Sequence, residues 1–325
     1  MNFKKLKQGL LFGLLAVGVL VLAGCGTNGG AGDSNKLQVV ATVYPAYDVA
    51  KVVGGDKVDV KVLVPPGAEP HDWEPTAGDL KSIGKAKVFI YNGAGLEPTE
   101  KLLTPDILKD AKPLELAKVV DLRYVDEVEE HDHHGHSTPQ SGHDGKDGDE
   151  HHMADPHIWL NLMNVAKEVD AVVAAFSEAD PANKEYYEAN GKAYKEKLEA
   201  LDASYKAFAD SLSNKNLVVT HEAFGYLADR YGFKQLGIMG ISPDAEPTPE
   251  KMAQIVSFIR NNQVKAIFSE ELVNQKLANA ISKETGVAIY KLNPVEGLTE
   301  EQLKAGDTYL TIMQQNLDVL KKALQ

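Results

Sequence analysis

LQVVATVYPAYDVAKVVGGDKVDVKVLV, residues 37–64, is the stretch that decides the fold. Leu37–Val43 is an apolar run of strand length, and Tyr47–Val53 follows as a short helix. Val58, Val60, Val62 and Val64 then alternate with Asp59, Lys61 and Leu63, which suits a strand with two differing faces. Pro65-Pro66-Gly67 stops that strand sharply, ahead of a loop that carries His71. Thr76 is placed to cap the next helix, and Val88–Tyr91 is a further short strand. Strands alternating with helices imply an α/β protein with a mostly parallel sheet.

Further along, hydrophobic periodicity stops between Glu127 and Asp155. The segment 129–152 is built from His, Asp, Gly and Ser, has almost nothing to bury, and reads as a mobile loop. Order is expected to return at Asp155, in a helix reaching about Phe176. From Pro181 to about Leu212, Tyr187, Tyr194, Leu198, Leu201, Tyr205 and Phe208 fall at helical spacing, with Asp180 as the cap. Such a helix would reach roughly 45–50 Å and reads as a rigid connector. The α/β rhythm then repeats, with strands at Leu217–Thr220, Val264–Ser269 and Val287–Lys291. Helices fall near Glu222–Tyr231, Pro249–Arg260 and Asn274–Thr285. The expected layout is an N-terminal α/β lobe (37–179), a long connecting helix (180–213) and a C-terminal α/β lobe (214–325).

Before residue 37 the chain reads as an address rather than as fold. A basic start ending at Lys7, the apolar run Gly9–Leu22 and small residues at Ala23-Gly24 make residues 1–24 an export signal. The apolar run is too short to favour a permanent membrane span. Leu22-Ala23-Gly24-Cys25 resembles a bacterial lipobox, which implies that Cys25 is lipid-acylated and that 25–36 is a flexible tether. Cys25 is also the chain's one cysteine, so no internal disulfide is possible. The 325 residues are 43% hydrophobic and 25% charged, which suits two ordinary lobes with a real core. The net charge is −13, and the leader removes three lysines but no acidic residue. So acidic a chain is a poor partner for nucleic acid and a natural one for a divalent cation.

The ten histidines divide in two. His131, His133, His134, His136, His143, His151 and His152 lie in the polar loop. His71, His157 and His221 stand apart at the edges of ordered elements, where the carboxyl ends of strands border a crevice in open α/β sheets. Glu296 follows the strand ending near Lys291. Three imidazoles and one carboxylate suit a four-coordinate Zn²⁺ better than manganese, which favours more carboxylate oxygen. Asp307, or a water, is the rival for the fourth place. An HExxH protease motif fails, because Gly225 stands where the second His is required after His221-Glu222. The Gly-rich pieces at 53–55 and 92–95 lack a phosphate-loop Lys-Ser/Thr, so nucleotide binding is not expected.

Pro70-His71-Asp72-Trp73-Glu74-Pro75-Thr76, Asp155-Pro156-His157-Ile158-Trp159-Leu160-Asn161, Thr220-His221-Glu222-Ala223-Phe224-Gly225-Tyr226 and Asn293-Pro294-Val295-Glu296-Gly297-Leu298 form an ordered set. They resemble the four metal-site segments of the zinc/manganese cluster of ABC-transporter solute-binding proteins, in particular the high-affinity zinc uptake type. Gly240–Thr248 is similar to that family too, and the match runs from Leu37 to the C-terminus. The resemblance implies two α/β lobes joined by one long helix, with one metal ion between them held by His71, His157, His221 and Glu296. Manganese members carry a carboxylate where His221 stands, so the resemblance points to Zn²⁺ as the transported ligand. It further implies a non-enzymatic receptor on the extracytoplasmic face of a membrane, lipid-anchored, handing Zn²⁺ to an ABC permease and its ATPase. The His-rich loop is similar to the metal-scavenging insertion of the zinc members. The chain is read as a monomer, and a secondary adhesin role, described for some relatives, is required by nothing in the sequence.

Overall fold

In the computed structural model, which describes residues 36–126, 152–243 and 247–325, the opening stretch forms strand β1 (Leu37–Ala41), helix α1 (Tyr44–Gly54) and strand β2 (Val58–Val62). β1 and β2 run parallel, with Leu37 opposite Val58. The helix starts earlier than its periodicity suggests because Pro45 sits in its first turn, where a missing N–H is harmless. After the Pro65-Pro66-Gly67 stop come α2 (Ala77–Ile83), β3 (Val88–Tyr91), the single turns α3 (Thr99–Leu102) and α4 (Pro105–Leu108), and β4 (Lys112–Glu115). Thr76 caps α2 as expected, in a reciprocal box with Asp79. The sheet order is β2-β1-β3-β4, all parallel.

A short antiparallel ribbon, β5 (Tyr124–Asp126) with β6 (His152–Ala154), flanks the polar segment. Order therefore returns three residues before Asp155, and the backbone of His152 is a strand residue paired with Asp126 rather than part of the loop. His131, His133, His134, His136, His143, His151 and Cys25 lie outside the described residues. Helices α5 (Leu162–Ala179) and α6 (Lys184–Asp210) follow. Pro181–Asn183 is a 3₁₀ turn rather than the start of the α-helix, and Asp180 accepts hydrogen bonds from Asn183 and Tyr187 instead of capping. At 27 residues α6 spans about 40 Å. A Cβ on Gly191 of α6 would lie 2.6 Å from Val173 of α5, so this glycine sets how closely the two helices pack.

The second half comprises β7 (Asn216–Val219), α7 (Gly225–Tyr231), β8 (Lys234–Gly237), α8 (Pro249–Asn261), β9 (Ala266–Ser269), α9 (Lys276–Thr285) and β10 (Ala288–Lys291), then α10 (Glu300–Ala305) and α11 (Tyr309–Leu324). Its sheet, β8-β7-β9-β10, is parallel and repeats the order of the first, with β7 in the place of β1. Strand alternation assigns side chains to cores. Val39, Ala41, Val88 and Ile90 of the first sheet and Leu217, Val219, Ala266 and Phe268 of the second enter one shared core with α1, α5, α6 and α11. Val40 and Phe89 face a separate outer core, as do Val218 and Ile267 on the other side. Both sheets belong to one compact unit, Asn35–Gln325. Among the described residues no helix is long and apolar enough to cross a membrane.

Candidate metal centre

Four elements end at one point. The turn after β2 is fixed by a hydrogen bond from Gly67 N to Leu298 O, 3.1 Å, so the loop carrying His71 is pinned to the segment carrying Glu296. His157 leaves a tight Asp155-Pro156 turn whose Pro156 carbonyl accepts from Asn92 Nδ2 at 2.8 Å. Two residues on, the Trp159 indole donates to Pro294 O at 2.7 Å, again tying a histidine segment to Glu296. His221 directly follows β7, whose extension is held by Thr220 N to Phe268 O at 3.0 Å. Glu296 follows Val295, a fully buried β-branched residue at φ 61°. That left-handed conformation costs about 1–3 kcal/mol, and it is kept here by a 2.7 Å hydrogen bond from Val295 N to Asn293 Oδ1.

These turns bring ligand atoms of His71, His157, His221 and Glu296 within 4.8 Å of one another. The Nε2 atoms of His71 and His221 lie 3.2 and 3.3 Å from His157 Nε2. Glu296 Oε1 is 2.8, 3.2 and 3.7 Å from Nε2 of His157, His221 and His71. A tetrahedron with donors about 2 Å from its centre has edges of about 3.3 Å. The observed spacings bracket that edge. Glu296 Oε1 is a buried acceptor without an aligned hydrogen bond, although three ring nitrogens surround it. Such an oxygen is expensive unless something other than the protein engages it. His157, His221 and Glu296 are buried, and His71 alone keeps some exposure, marking the side open to water. Asp307 is not in the cluster. It precedes α11, with its carboxylate 3.3 Å from Thr311 Oγ1 and 3.2 Å from Gln315 Nε2.

A supporting layer escaped the sequence reading. Asp155 Oδ1 accepts from both the backbone N–H (3.0 Å) and Nδ1 (2.8 Å) of His157. Glu270, buried at the end of β9, places Oε2 2.8 Å from His221 Nδ1, close but poorly aligned for a hydrogen bond, and accepts from the Thr220 hydroxyl. The first sheet has the same device: the Thr42 hydroxyl donates to buried Glu97, which also accepts from the backbone of Asn92 and Gly93. The sequence signals were an Asp two residues before His157 and a Glu directly after the strand Ala266-Ile267-Phe268-Ser269. Carboxylates behind histidines fix the ring orientation and raise its basicity.

The electrostatics follow from this crowding. Burial alone would lower His157, but the Asp155 and Glu296 carboxylates outweigh it and hold the ring above its ordinary range. Burial also opposes protonation of His221, yet Glu270 and Glu296 raise it well above the usual value. Glu296 is the mirror case: burial pushes its carboxyl up, while His221, His157 and His71 together hold it well below the carboxylate range. Glu69, whose Oε1 accepts from His71 N at 3.2 Å, is pushed up to about 7 by burial and by Glu296.

The family described as zinc-uptake complex component A, periplasmic, matches residues 39–323. The high-affinity zinc uptake system protein ZnuA of Bacillus subtilis is 40% identical over 319 residues, 96% of either chain. The zinc-binding lipoprotein AdcA of Streptococcus pneumoniae is 39% identical over 88% of this chain, which spans 56% of that longer relative. Among solved structures, the Zn(II)-bound ZnuA-like domain of Streptococcus pneumoniae AdcA aligns with TM-score 0.71 and 36% identity, over 89% of this chain and 99% of that one. The laminin-binding protein Lmb of Streptococcus agalactiae, described as bifunctional with adhesin and metal transporting activity, aligns at 0.76 and 32% identity over 89% of this chain and 100% of its own.

Proposed function

The chain belongs to the zinc-uptake complex component A family, and from that premise we propose that His71, His157, His221 and Glu296 capture one Zn²⁺ for import. A component of an uptake complex is a receptor and not an enzyme. The ion is cargo, held in the groove between an N-terminal lobe (37–179) and a C-terminal lobe (214–325), and released to an ABC permease and its ATPase. The single observation behind this reading is the donor set: three imidazole nitrogens and one carboxylate oxygen at tetrahedral spacing, each from a different segment. Four donors rich in nitrogen favour zinc over magnesium, calcium or manganese.

Several finer points belong to the same reading. Cys25 carries a lipid that holds the receptor, as a monomer, at the outer face of the membrane, which agrees with a relative named a lipoprotein. The His-rich loop gathers ions weakly and raises their local concentration. Capture proceeds by local movement of the His71 loop rather than by wide opening, because the two sheets share one apolar core and α6 bridges them. Metal analysis of the purified protein, with competing zinc and manganese titrations, tests the assignment. One tightly held zinc per chain is expected, with tight binding lost in His221→Ala. Tight binding that survives His221→Ala and His157→Ala together would defeat it.

A further inference from the structure

Arg123, just ahead of β5, bridges the segment bearing His157 and helix α7 behind the donor cluster. Its Nη1 lies 3.2 Å from Asp155 Oδ2, and its Nε lies 3.1 Å from Asp229 Oδ2 on α7. Its backbone N–H donates to the Tyr226 hydroxyl, also on α7, at 2.9 Å, and that hydroxyl donates to Asp155 O at 3.0 Å. Asp155 therefore gives one carboxylate oxygen to His157 and the other to Arg123. Gly225, four residues after His221, makes this approach possible. A Cβ there would lie 2.6 Å from Asp155 Oδ2 and 2.7 Å from Arg123 Nη1. Asp155 is wholly buried, whereas the side chain of Asp229 is 67% exposed. The arm to Asp155 is thus a sheltered charge-assisted bond, and the arm to Asp229 is one that water and salt weaken.

We propose that Arg123 is a positioning residue that sets the rate at which the ion leaves. This rests on the reading of the four-residue cluster as the ion's site. With both arms made, the Asp155 carboxylate keeps the His157 ring aimed at the cluster, and the segment bearing His157 stays latched to the helix that follows His221. Parting the two histidine segments requires Arg123 to give up Asp229 and Tyr226 to give up its bonds to Arg123 and Asp155, and the exposed Asp229 arm is the one that opens first. A partner surface that drew Arg123 or Asp229 away would release the ion without touching a donor.

The test is stopped-flow transfer of zinc from the full-length, zinc-loaded chain to an excess of chromophoric chelator. Arg123→Gln is expected to release zinc about tenfold faster, the low end of the loss seen when the partners behind metal ligands are removed. Asp229→Asn, which leaves the buried arm intact, should release about two- to threefold faster, and Arg123→Lys should behave like it. Association should stay within about twofold throughout. In the zinc-free chain, amides of 153–160 and 225–231 should exchange hydrogen faster in Arg123→Gln than in the parent. If Arg123→Gln fails to fold, Asp229→Asn decides alone. Release at the parent rate in these variants overturns the latch, and so does slower release, which an Asp155 carboxylate freed of its counter-charge would produce by attraction alone. His221→Ala separates the two ideas: undiminished binding there defeats the site, whereas lost binding there with unchanged release in the other variants defeats only the latch.

Discussion

Near pH 7, lowering the pH should weaken zinc binding more steeply than three ordinary imidazoles would. At pH 7 an imidazole with the usual value of 6.5 is about a quarter protonated, so three of them would release about 0.7 proton on binding a metal. In this site the Glu270 and Glu296 carboxylates overcome burial to hold His221 well above that value, and Asp155 and Glu296 raise His157 too. His221 and His157 then each carry more than an ordinary imidazole's share of a proton at pH 7. The expected release therefore exceeds about 0.7 proton per ion, and affinity near pH 7 falls correspondingly faster as the pH drops. Calorimetric titration in buffers of different ionisation enthalpy counts these protons directly. A count at or below about 0.7 would refute the argument that the carboxylates dominate the histidines. Glu296→Gln should bring the count down toward that figure, because it removes the carboxylate both rings share. The sign for stability is opposite. In the zinc-free chain the raised histidines stabilise the fold fully below the unfolded value of about 6.5, and that contribution is lost as the pH rises through their folded values.

Asp155→Asn and Glu270→Gln should each weaken zinc affinity by about ten- to a hundredfold while keeping one ion per chain, measured by competition with a chelator of known strength. Glu168, buried on α5 with neither carboxylate oxygen hydrogen-bonded, has its carboxyl pushed up to about 8 by burial. The folded chain thus holds that proton more tightly than the unfolded one, and wild-type stability falls as pH rises from about 4.5 to about 8. Glu168→Gln should remove this loss, worth on the order of 3–5 kcal/mol, and denaturant titrations of both proteins at pH 5 and pH 9 would show it. Gly191→Ala gains helix propensity but drives a methyl into Val173, so a net loss of about 1–2 kcal/mol in thermal or denaturant unfolding is expected.

The sequence by itself determined what depends on near neighbours. Period-two alternation at 58–64 and the short, mostly apolar runs at 217–220 and 264–269 mark strands, and the stripe from Tyr187 to Phe208 marks the long helix. Thr76 and Pro65-Pro66-Gly67 mark local boundaries, since a cap or a fixed φ acts within a few residues. The edge strands β4 and β8 were not legible. Lys112-Pro113-Leu114-Glu115 and Lys234-Gln235-Leu236-Gly237 each pair on one side only, so they carry the polar residues and proline that central strands exclude. The ribbon β5–β6 was invisible too, because three-residue strands owe their existence to each other.

Tertiary structure alone decided that the donors meet. His71 and His157 are 86 residues apart and His157 and His221 are 64 apart, a distance over which no periodicity carries information. Their meeting depends on two sheets of the same strand order sharing one core, which sets the carboxyl ends of β2 and β7 against the Asp155 turn and the Val295 corner. Only those contacts bring Glu296 into the cluster and leave Asp307 outside it, and only they place Asp155, Glu270 and Arg123 behind the histidines. Side-chain type can be read along the chain, but ligand geometry is a property of distances across it.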